Sequence, residues 1–569
     1  MKRFFPFLRW FPYHLHTFRV DILAGLTVAL VLIPQSMAYA QLAGLPAYFG
    51  LYAAFLPVAI AAMWGSSNQL GSGPVAVVSL LTASALTPLA QTGTETYIAL
   101  AILLSLTVGL VQLSLGVFKL GVIVNFLSHP VIVGFTNAAA LIIAMSQVSK
   151  LLGVKMASTG HFMLDFWGVL TQVGNTHLPT LGLGVLAIFT MWALKKWFPK
   201  IPGVLVAVAL TTTISWATGF MGSVVGSIPK GLPELRLPQL NWSSISTLLS
   251  AALVISLVGF MEAISIAKAV AAKTRQRIDP NQELIGQGLA NIVGSFSQSY
   301  PVSGSFSRTA VNQGAGAITG MSSVFTALIV LVALLFLTPL LYHLPQAALG
   351  AIIIMAVTGL INIHGIKHAW QASRDDGIAA IVTFFATLAF APHLDTGIII
   401  GTVLALGLYL YRTMRPRVAI LGRHTDGTLR DTLVHDNLPT GKQMVAVRFD
   451  GSLYFANVSY FEDAVLGAVA NQPDAKIVLI VGNGINQLDA SGEEVIHHLL
   501  DRLKQTGISL VFSGLKKQVI DVMRNTGLLN AIGEDNLFAT EELAILACYA
   551  RLGNDSQNDS FLLQNYSQK

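Results

Sequence analysis

The sequence predicts a mainly α-helical membrane protein that ends in a small cytoplasmic α/β domain. Apolar residues make up 53% of the 569 residues and charged residues only 11%, and the mean hydropathy is +0.65. A chain of this length and composition has too little polar surface to fold as a water-soluble protein. Long apolar runs fill residues 20–412, whereas strand and helix patterns alternate from residue 441, which is typical of a small α/β domain.

Charge is divided unevenly between these two parts. Residues 1–412 carry 20 Lys or Arg and 10 Asp or Glu, a net of +10, and residues 413–569 carry 14 and 18, a net of −4. The basic residues cluster beside the apolar runs, and such clusters face the cytoplasm in membrane proteins. The pattern therefore predicts both termini in the cytoplasm and an even number of spans. It is a membrane-topology signal, and we expect no nucleic-acid partner.

Composition shifts divide the chain further. The stretch 226–247 is rich in proline and charge and separates two membrane halves, 20–221 and 248–412. In the tail, 444–447 and 453–456 flank an Asp-Gly turn and predict a β-hairpin. The single cysteine, Cys548, excludes a disulfide within the chain. We expect a cytoplasmic N-terminal segment 1–19, a transmembrane domain 20–412, a linker 413–440, an α/β domain 441–553 and a disordered tail 554–569.

Two sites in the membrane block resemble each other. Gly73-Pro74-Val75 and Tyr300-Pro301-Val302 each open a short apolar segment, and the prolines are 227 positions apart (301 minus 74). At ~1.5 Å per residue such segments are too short for a hydrocarbon core of roughly 30 Å. Paired short segments in corresponding halves indicate a transporter substrate site. We expect each proline in the first helical turn, where the helix N-terminus attracts anions.

Two charged residues stand out in this apolar setting. Glu262 is the only acid in residues 251–270, and Arg308 is the only Lys or Arg between Asp279 and His343. An ionisable residue inside a membrane indicates a functional site. A buried arginine needs an anion, which here is Glu262, a substrate, or each in turn. A fixed Glu262–Arg308 ion pair and a protonated Glu262 that only packs helices both stay open. Nearby hydroxyl donors are Ser303, Ser305 and Ser307.

Two polar residues on the first span are further candidates for the same site. Gln35 lies 227 positions before Glu262, and Tyr39 follows Gln35 by one helical turn. Both side chains could face the same cavity as Glu262. A glutamine in a membrane helix also serves as an interhelical contact, so this assignment carries less weight.

Together these motifs resemble the SulP anion transporter family, and the tail is similar to the STAS domain that ends most of its members. The motifs are Pro34–Tyr39, Phe49–Tyr52, Gly73-Pro74, Asn281–Leu284 and the Ser-x-Ser-Arg segment that ends at Arg308. The resemblance implies fourteen transmembrane segments in two inverted seven-segment repeats, with a core and a gate region. It also implies a homodimer in the inner (plasma) membrane and an anionic substrate such as sulfate, bicarbonate, chloride, oxalate or a dicarboxylate.

The resemblance also implies residue roles. Glu262 matches the acidic position linked to the coupling ion, and its combination with Arg308 is similar to that of proton-coupled sulfate carriers. Ile266 stands where sodium-coupled bicarbonate members have a hydroxyl residue, which counts against sodium. The implied anion-binding residues are Gln35, Tyr39, Val75, Ala76, Ser307 and Arg308.

The sequence thus predicts a secondary transporter of an inorganic oxyanion, with sulfate as the favoured substrate and protons as the coupling ion. Bicarbonate or dicarboxylate transport, anion exchange, an anion channel and a non-transporting anion-binding protein remain alternatives. A regulatory sensor acting through the tail would need a ligand pocket there, and the sequence shows none.

Neither a metal-ligand cluster nor a Cys/His nucleophile pair is visible, so we expect no enzyme, no metal and no cofactor. The expected partners are the anion, the proton, membrane lipid and a second copy of the chain.

Overall fold

A computed structural model describes residues 5–122, 127–157, 159–198, 201–229, 231–553, 559 and 561–562. The chain divides into two compact units, Met1–Ala405 and Leu406–Lys569. The predicted disordered tail, 554–569, lies outside the described residues except at three positions. These are Asp559, Phe561 and Leu562.

The first unit is a bundle of apolar helices. Its first half contains α1 (Leu15–Leu42), α2 (Tyr48–Ala53), α3 (Leu56–Trp64), α4 (Ala76–Leu86), α5 (Glu95–Val117), α6 (His129–Leu152), α7 (Phe162–Thr171), α8 (Leu178–Trp197) and α9 (Gly203–Ala217). The second half contains α10 (Trp242–Thr274), α11 (Pro280–Phe296), α12 (Phe306–Gly314), α13 (Met321–Val332), α14 (Gln346–Val357), α15 (Ile363–Ala372), α16 (Arg374–Ala389) and α17 (Leu394–Met414). The residues of α17 after Ala405 belong to the second unit. Helix α1 begins inside the segment 1–19, and α10 begins inside the predicted link 226–247.

Length and composition allow seven helices of the described residues to cross a membrane. They are Leu15–Leu42, Glu95–Val117, His129–Leu152, Leu178–Trp197, Trp242–Thr274, Met321–Leu341 and Leu394–Met414. The other apolar helices, including α4 and α14, are shorter. The total of fourteen segments therefore stays a prediction.

The two halves interleave instead of packing side by side. Helix α11 of the second half packs against α5 and α3 of the first, and α13 packs against α1. Likewise, α14 and α16 pack against α6, and α14 also packs against α8. Because these helices bury apolar surface on partners from the other half, neither half forms this core alone.

Two three-residue strands join the halves at their centre. Strand β1 (Gly71–Gly73) pairs antiparallel with β2 (Ser303–Ser305), with Gly71 opposite Ser305 and Gly73 opposite Ser303. Helix α4 follows β1 and α12 follows β2, so the pairing brings the starts of the two short helices together. The matched short segments of the sequence are therefore neighbours in space.

The predicted position of the two prolines is wrong. Helix α4 begins at Ala76 with Val75 as its N-cap, and α12 begins at Phe306 with Ser305 as its N-cap. Pro74 and Pro301 thus precede the helices and their caps. The residue before a proline favours extended backbone, and here the chain after Pro301 stays extended as well, because it pairs with β1.

Helix α11 fixes this ribbon through two buried amides. The Asn291 side chain accepts a hydrogen bond from the Val302 N–H (2.8 Å) and donates one to the Val302 carbonyl (3.1 Å). One turn earlier, Gln287 donates to the Ser72 hydroxyl (2.9 Å). Short strands inside a membrane leave backbone groups that water cannot reach. Asn291 therefore satisfies backbone at the start of β2, while Gln287 holds β1.

The motif 281–284 anchors the end of α3 in the same way. The Glu283 carboxylate accepts from the Ser66 N–H (2.8 Å), the Ser66 hydroxyl (2.9 Å) and the Ser67 N–H (3.2 Å). Gln282 donates to the Trp64 carbonyl (2.7 Å). These bonds satisfy polar groups between α3 and β1, so the buried Glu283 has a structural role.

The second unit contains one six-stranded sheet with helices on both faces. The strand order is β4-β3-β5-β6-β7-β8, in which β3 is antiparallel to β4 and β5 and the remaining neighbours are parallel. The strands are β3 (Val418–Arg423), β4 (Leu429–Asp431), β5 (Met444–Phe449), β6 (Ile477–Val481), β7 (Ser509–Ser513) and β8 (Leu537–Phe538). The helices are α18 (Val458–Ala470), α19 (Ala490–Gln505), α20 (Lys517–Thr526), α21 (Leu528–Ile532) and α22 (Glu541–Leu552). One apolar core lies under α18 to α21 and the other under α22.

The start of this sheet differs from the prediction in two respects. The hairpin predicted for 444–456 is wrong, because β5 pairs with β3 and Leu453 makes only an isolated bridge with Leu488. The predicted linker 413–440 contains both β3 and β4. Alternation of apolar residues identified β5 as a strand but could not identify its partner, so a boundary at residue 441 would cut the sheet.

We predict that Asn291→Ala lowers stability, because it leaves the Val302 N–H and carbonyl buried without their side-chain partner. Each buried unsatisfied group costs about 1–3 kcal/mol, so the apparent unfolding temperature in detergent should fall by several degrees. Asn175→Ala, in an exposed position, is the matched control. Equal unfolding temperatures for the two variants would contradict the role of Asn291.

Cys548 should react very slowly with thiol reagents in the folded protein. It is the only cysteine in the chain, it is buried in α22, and burial raises the pKa of its thiol to about 11. Only about one thiol in a thousand would then be ionised at pH 8. Labelling followed by mass spectrometry, with and without denaturant, checks this. Similar rates in both conditions would show that α22 is not packed as described.

Candidate functional site

A cavity of about 520 Å³ lies in the first unit, where α4 and α12 begin. One wall, which we call the core side, comes from α1, α4, α10 and α12 together with the residues just before α4 and α12. The opposite wall, the gate side, comes from α8, α9 and α14 with the residues next to them. The interleaved halves thus contribute to both walls.

Most of the site residues that the sequence predicts line this cavity. Those that line it are Gln35, Tyr39, Val75, Ala76, Glu262 and Ser307. They come from four segments that are far apart in the sequence, and the β1–β2 pairing brings two of them, the segments of Val75-Ala76 and of Ser307, to one place. All six belong to the core side.

Arg308 is placed differently from the others. It is not part of the cavity lining, and its side chain is fully buried, with 0% exposed. Its guanidinium lies against β1, since a Cβ built on Gly73 would be 3.4 Å from Arg308 Nη2. A Cβ built on Gly71 would be 3.0 Å from Arg308 Cβ. The glycines of β1 therefore make room for the arginine, and Gly73 also adopts a positive φ of 133° that suits glycine.

Unbonded polar atoms concentrate at this place. Arg308 Nε, Nη1 and Nη2, Glu262 Oε2 and Gln35 Oε1 are buried and have no hydrogen-bond partner within the described residues. Buried polar groups are normally bonded, and an uncompensated buried charge is costly. A group of such atoms in one place, next to a cavity, is what a polar ligand would satisfy.

The fixed ion pair that the sequence left open is not formed. In the described part of the chain, no nitrogen of Arg308 lies within 4.0 Å of a carboxylate oxygen. Glu262 and Arg308 are thus near the same cavity without sharing a hydrogen bond. An anion that reached Arg308 would not have to displace Glu262.

Helix N-termini supply further donors. Val75 and Ser305 are the N-caps of α4 and α12, and the first turns of these helices border the cavity. Their unpaired N–H groups favour anions. The Ser307 hydroxyl lies 3.3 Å from that of Ser305, and both residues line the cavity. Ser303 does not act as the predicted donor, because its hydroxyl already donates to the Gly259 carbonyl (2.6 Å).

Helix α1, which carries Gln35 and Tyr39, makes a tight contact with α2. A Cβ built on Gly50 would be 1.9 Å from the Ser36 carbonyl oxygen, so only glycine allows α2 to approach this closely. Ser36 is fully buried in this contact, and Gln35 and Tyr39 face the cavity. The motifs 34–39 and 49–52 therefore act together to orient one wall of the site.

Sequence reasoning missed the gate side. Lys195 lines the cavity there, although the sequence places it in a basic cytoplasmic cluster. The other gate-side lining residues in the described chain are apolar or glycine, among them Met191, Ile352 and Met355. No motif marks these positions, because apolar residues are common throughout the membrane block.

Comparison with known sequences decides the family. The sequence profile of the Sulfate permease family matches residues 18–383, and that of the STAS domain matches residues 436–544. The chain belongs to the sulfate permease family. It is therefore a multi-pass membrane protein of the anion-transporter class, and the resemblance seen in the sequence is confirmed.

Several sulfate permease family members are similar over nearly the whole chain. Sulfate transporter 4.1, chloroplastic, of Arabidopsis thaliana is 34% identical over 98% of this chain and 84% of its own length. A probable sulfate transporter of Mycobacterium tuberculosis is 33% identical over 93% of this chain and 95% of its own length.

Solved structures confirm the fold that this family membership implies. The structure of SLC26A9 has a TM-score of 0.89 and 22% identity, covering 98% of this chain and 94% of its own. The transmembrane domain of the cyanobacterial bicarbonate transporter BicA has a TM-score of 0.59 and 23% identity, covering 69% of this chain and 98% of its own. At these identities the likeness concerns the fold alone.

We predict that Arg308→Ala abolishes anion binding, since the site loses its buried positive charge. Arg308→Lys should restore binding only in part, because lysine lacks the planar fork that suits oxyanions. Binding of radiolabelled sulfate to purified protein measures this, with gel filtration to confirm folding. Arg277→Ala, at an exposed position, is the control. Wild-type affinity in Arg308→Ala would remove Arg308 from the site.

Proposed function

We propose that this protein carries sulfate across the membrane by proton-coupled secondary transport. The observation that carries the proposal is the fully buried Arg308, whose guanidinium nitrogens lack protein partners, beside the cavity where α4 and α12 begin. In this reading the anion-binding residues are those predicted, with Glu262 as the coupling group.

The donors at this place suit a small oxyanion. A tetrahedral dianion can accept from backbone N–H groups at two helix N-termini, from the hydroxyls of Ser305 and Ser307, and from Arg308 on another side. The cavity of about 520 Å³ leaves room for the anion with some of its water. The family members compared above are named as sulfate transporters, which favours sulfate over bicarbonate or a dicarboxylate.

Glu262 supplies a route for coupling. Its carboxylate faces the cavity with one oxygen unbonded in the described structure. A negative charge near a bound dianion is repelled, and proton uptake by Glu262 would remove that repulsion. The sequence left open that Arg308 pairs with Glu262 and the substrate in turn. Because the two groups are not paired, we propose instead that protonation lowers the cost of placing the anion beside Glu262.

Movement of the core side past the gate side would expose the site alternately to the two compartments. This is the rocking mechanism expected of inverted-repeat transporters. A homodimer in the inner (plasma) membrane with both termini in the cytoplasm completes the proposal. Membrane lipid surrounds the apolar helices, and the substrate and proton are the remaining partners.

Uptake into proteoliposomes tests the function directly. With pH and sodium gradients imposed separately, radiolabelled sulfate should accumulate on an inward proton gradient and show no response to sodium. Unlabelled bicarbonate and a dicarboxylate should compete weakly. Accumulation of sulfate without a proton gradient, or stronger competition by bicarbonate, would favour exchange or the bicarbonate alternative.

Glu262→Gln should separate coupling from binding, because glutamine keeps the shape of a protonated glutamate but cannot release a proton. We expect sulfate binding within a fewfold of wild type and loss of uphill accumulation on a proton gradient. Glu95→Gln, in an exposed position, is the matched control. A Glu262→Gln variant that still concentrates sulfate on protons would exclude Glu262 as the coupling group.

A further inference from the structure

The second unit contains a cavity of its own, of about 340 Å³. It lies between strands β3 and β4 at one edge of the sheet and the start of α22. Its lining contains two arginines, Arg423 and Arg448, and the uncharged polar residues Thr428, Asn483 and Thr540. The sequence showed no ligand pocket in this domain, because these residues come from distant segments.

Arg423 is the decisive residue of this cavity. It ends β3, only 5% of it is exposed, and its backbone N–H is fixed by the Pro439 carbonyl (2.8 Å). Its Nη2 donates to the Glu542 carboxylate of α22. Nε and Nη1 are buried and without a hydrogen-bond partner within the described residues. One corner of the guanidinium is thus anchored, and the remaining donors are unused at the wall of a cavity.

The neighbouring groups favour an anion there. Arg448 keeps its guanidinium in a fixed orientation through two bonds to Asp450 (2.8 and 3.0 Å). Helix α22 begins at Glu541 with Thr540 as its N-cap, and the N-terminus of a helix attracts negative charge. Buried charged donors without acceptors are costly unless an anion meets them.

Two carboxylates of α22 oppose this attraction, but each already has a donor. Glu542 accepts from Arg423, and Glu541 accepts from the Asn483 amide (2.5 Å). Arg423 therefore has two guanidinium nitrogens without an acceptor in the described structure, whereas each of these carboxylates already accepts one hydrogen bond. A cation would meet carboxylates that are already bonded, whereas an oxyanion would meet free N–H groups.

We propose that this cavity binds a small tetrahedral oxyanion, sulfate or phosphate, between Arg423 of β3 and the start of α22. The site is separate from the membrane cavity and does not depend on the proposed transport function. The bound anion would link β3 to α22 through Arg423 and the N-terminus of the helix. Binding should therefore hold α22 on the sheet and reduce its local opening.

Cys548 reports that opening in the full-length protein, because it is the only cysteine and lies buried in α22. The experiment measures the rate of maleimide labelling in detergent with sodium sulfate, sodium phosphate or sodium chloride at equal ionic strength. If binding is restricted to the closed form, the rate falls by a factor of 1 + [L]/Kd, about tenfold at ten times Kd. Repeating the series in Arg308→Ala removes any contribution from the membrane site.

Sulfate, phosphate or both should slow labelling relative to chloride, and the more effective one identifies the ligand. Arg423→Met should abolish the effect. Arg502→Met is the matched control, since it also removes a guanidinium–carboxylate bond, to Glu462 on the surface, but lies outside the cavity. No slowing by either anion, or equal slowing in Arg423→Met, would overturn the proposal.

A second variant covers the case in which Arg423→Met loosens α22. Glu542→Gln keeps Arg423 and its hydrogen bond but removes the neighbouring negative charge. The anion concentration that halves the labelling rate should then fall severalfold. An unchanged or higher concentration would contradict anion binding at this cavity.

Discussion

The antiparallel pairing of β1 with β2 is the contact on which the first unit depends. Three residues of one half pair with three residues of the other, and the short helices α4 and α12 follow them in the sequence. Irregular backbone at membrane depth is tolerated only where protein or a cavity satisfies its polar groups. The ribbon bonds satisfy some of them, and Asn291 satisfies others. Among the described residues, the guanidinium of Arg308 stays without hydrogen-bond partners, and the N-termini of α4 and α12 border the same cavity.

Glycine makes this arrangement possible at two positions of β1. Gly71 and Gly73 let the backbone pass within van der Waals distance of Arg308, so the guanidinium can be buried next to the cavity. A longer side chain at either position would push the arginine away or part the two strands. In the described part of the chain, no carboxylate oxygen lies within 4.0 Å of an Arg308 nitrogen. The charge therefore stays available to a ligand, which a structural ion pair would prevent.

The sequence was sufficient to predict the membrane block, the α/β domain of the tail and most residues of the candidate site. Gln35, Tyr39, Glu262 and Ser307 could be nominated because a polar residue in an apolar span is conspicuous. Features that depend on a distant partner could not be predicted. Nothing local reveals that the chain after Pro301 pairs with Gly71–Gly73, or that β5 pairs with β3. The position of Lys195 at the cavity could not be predicted either, because it depends on how α8 packs against α14.

The distribution of polarity across the membrane cavity bears on how the anion would move. The lining residues with hydrogen-bonding or acidic side chains lie on the core side, whereas the gate side in the described structure is apolar or glycine except for Lys195. An anion held by the core side would make few bonds to the gate side. The two walls could then slide past each other at little cost in hydrogen bonds. A channel would instead need polar groups along its whole length to replace the hydration of the ion. The one-sided site therefore favours a carrier whose core side moves with its anion.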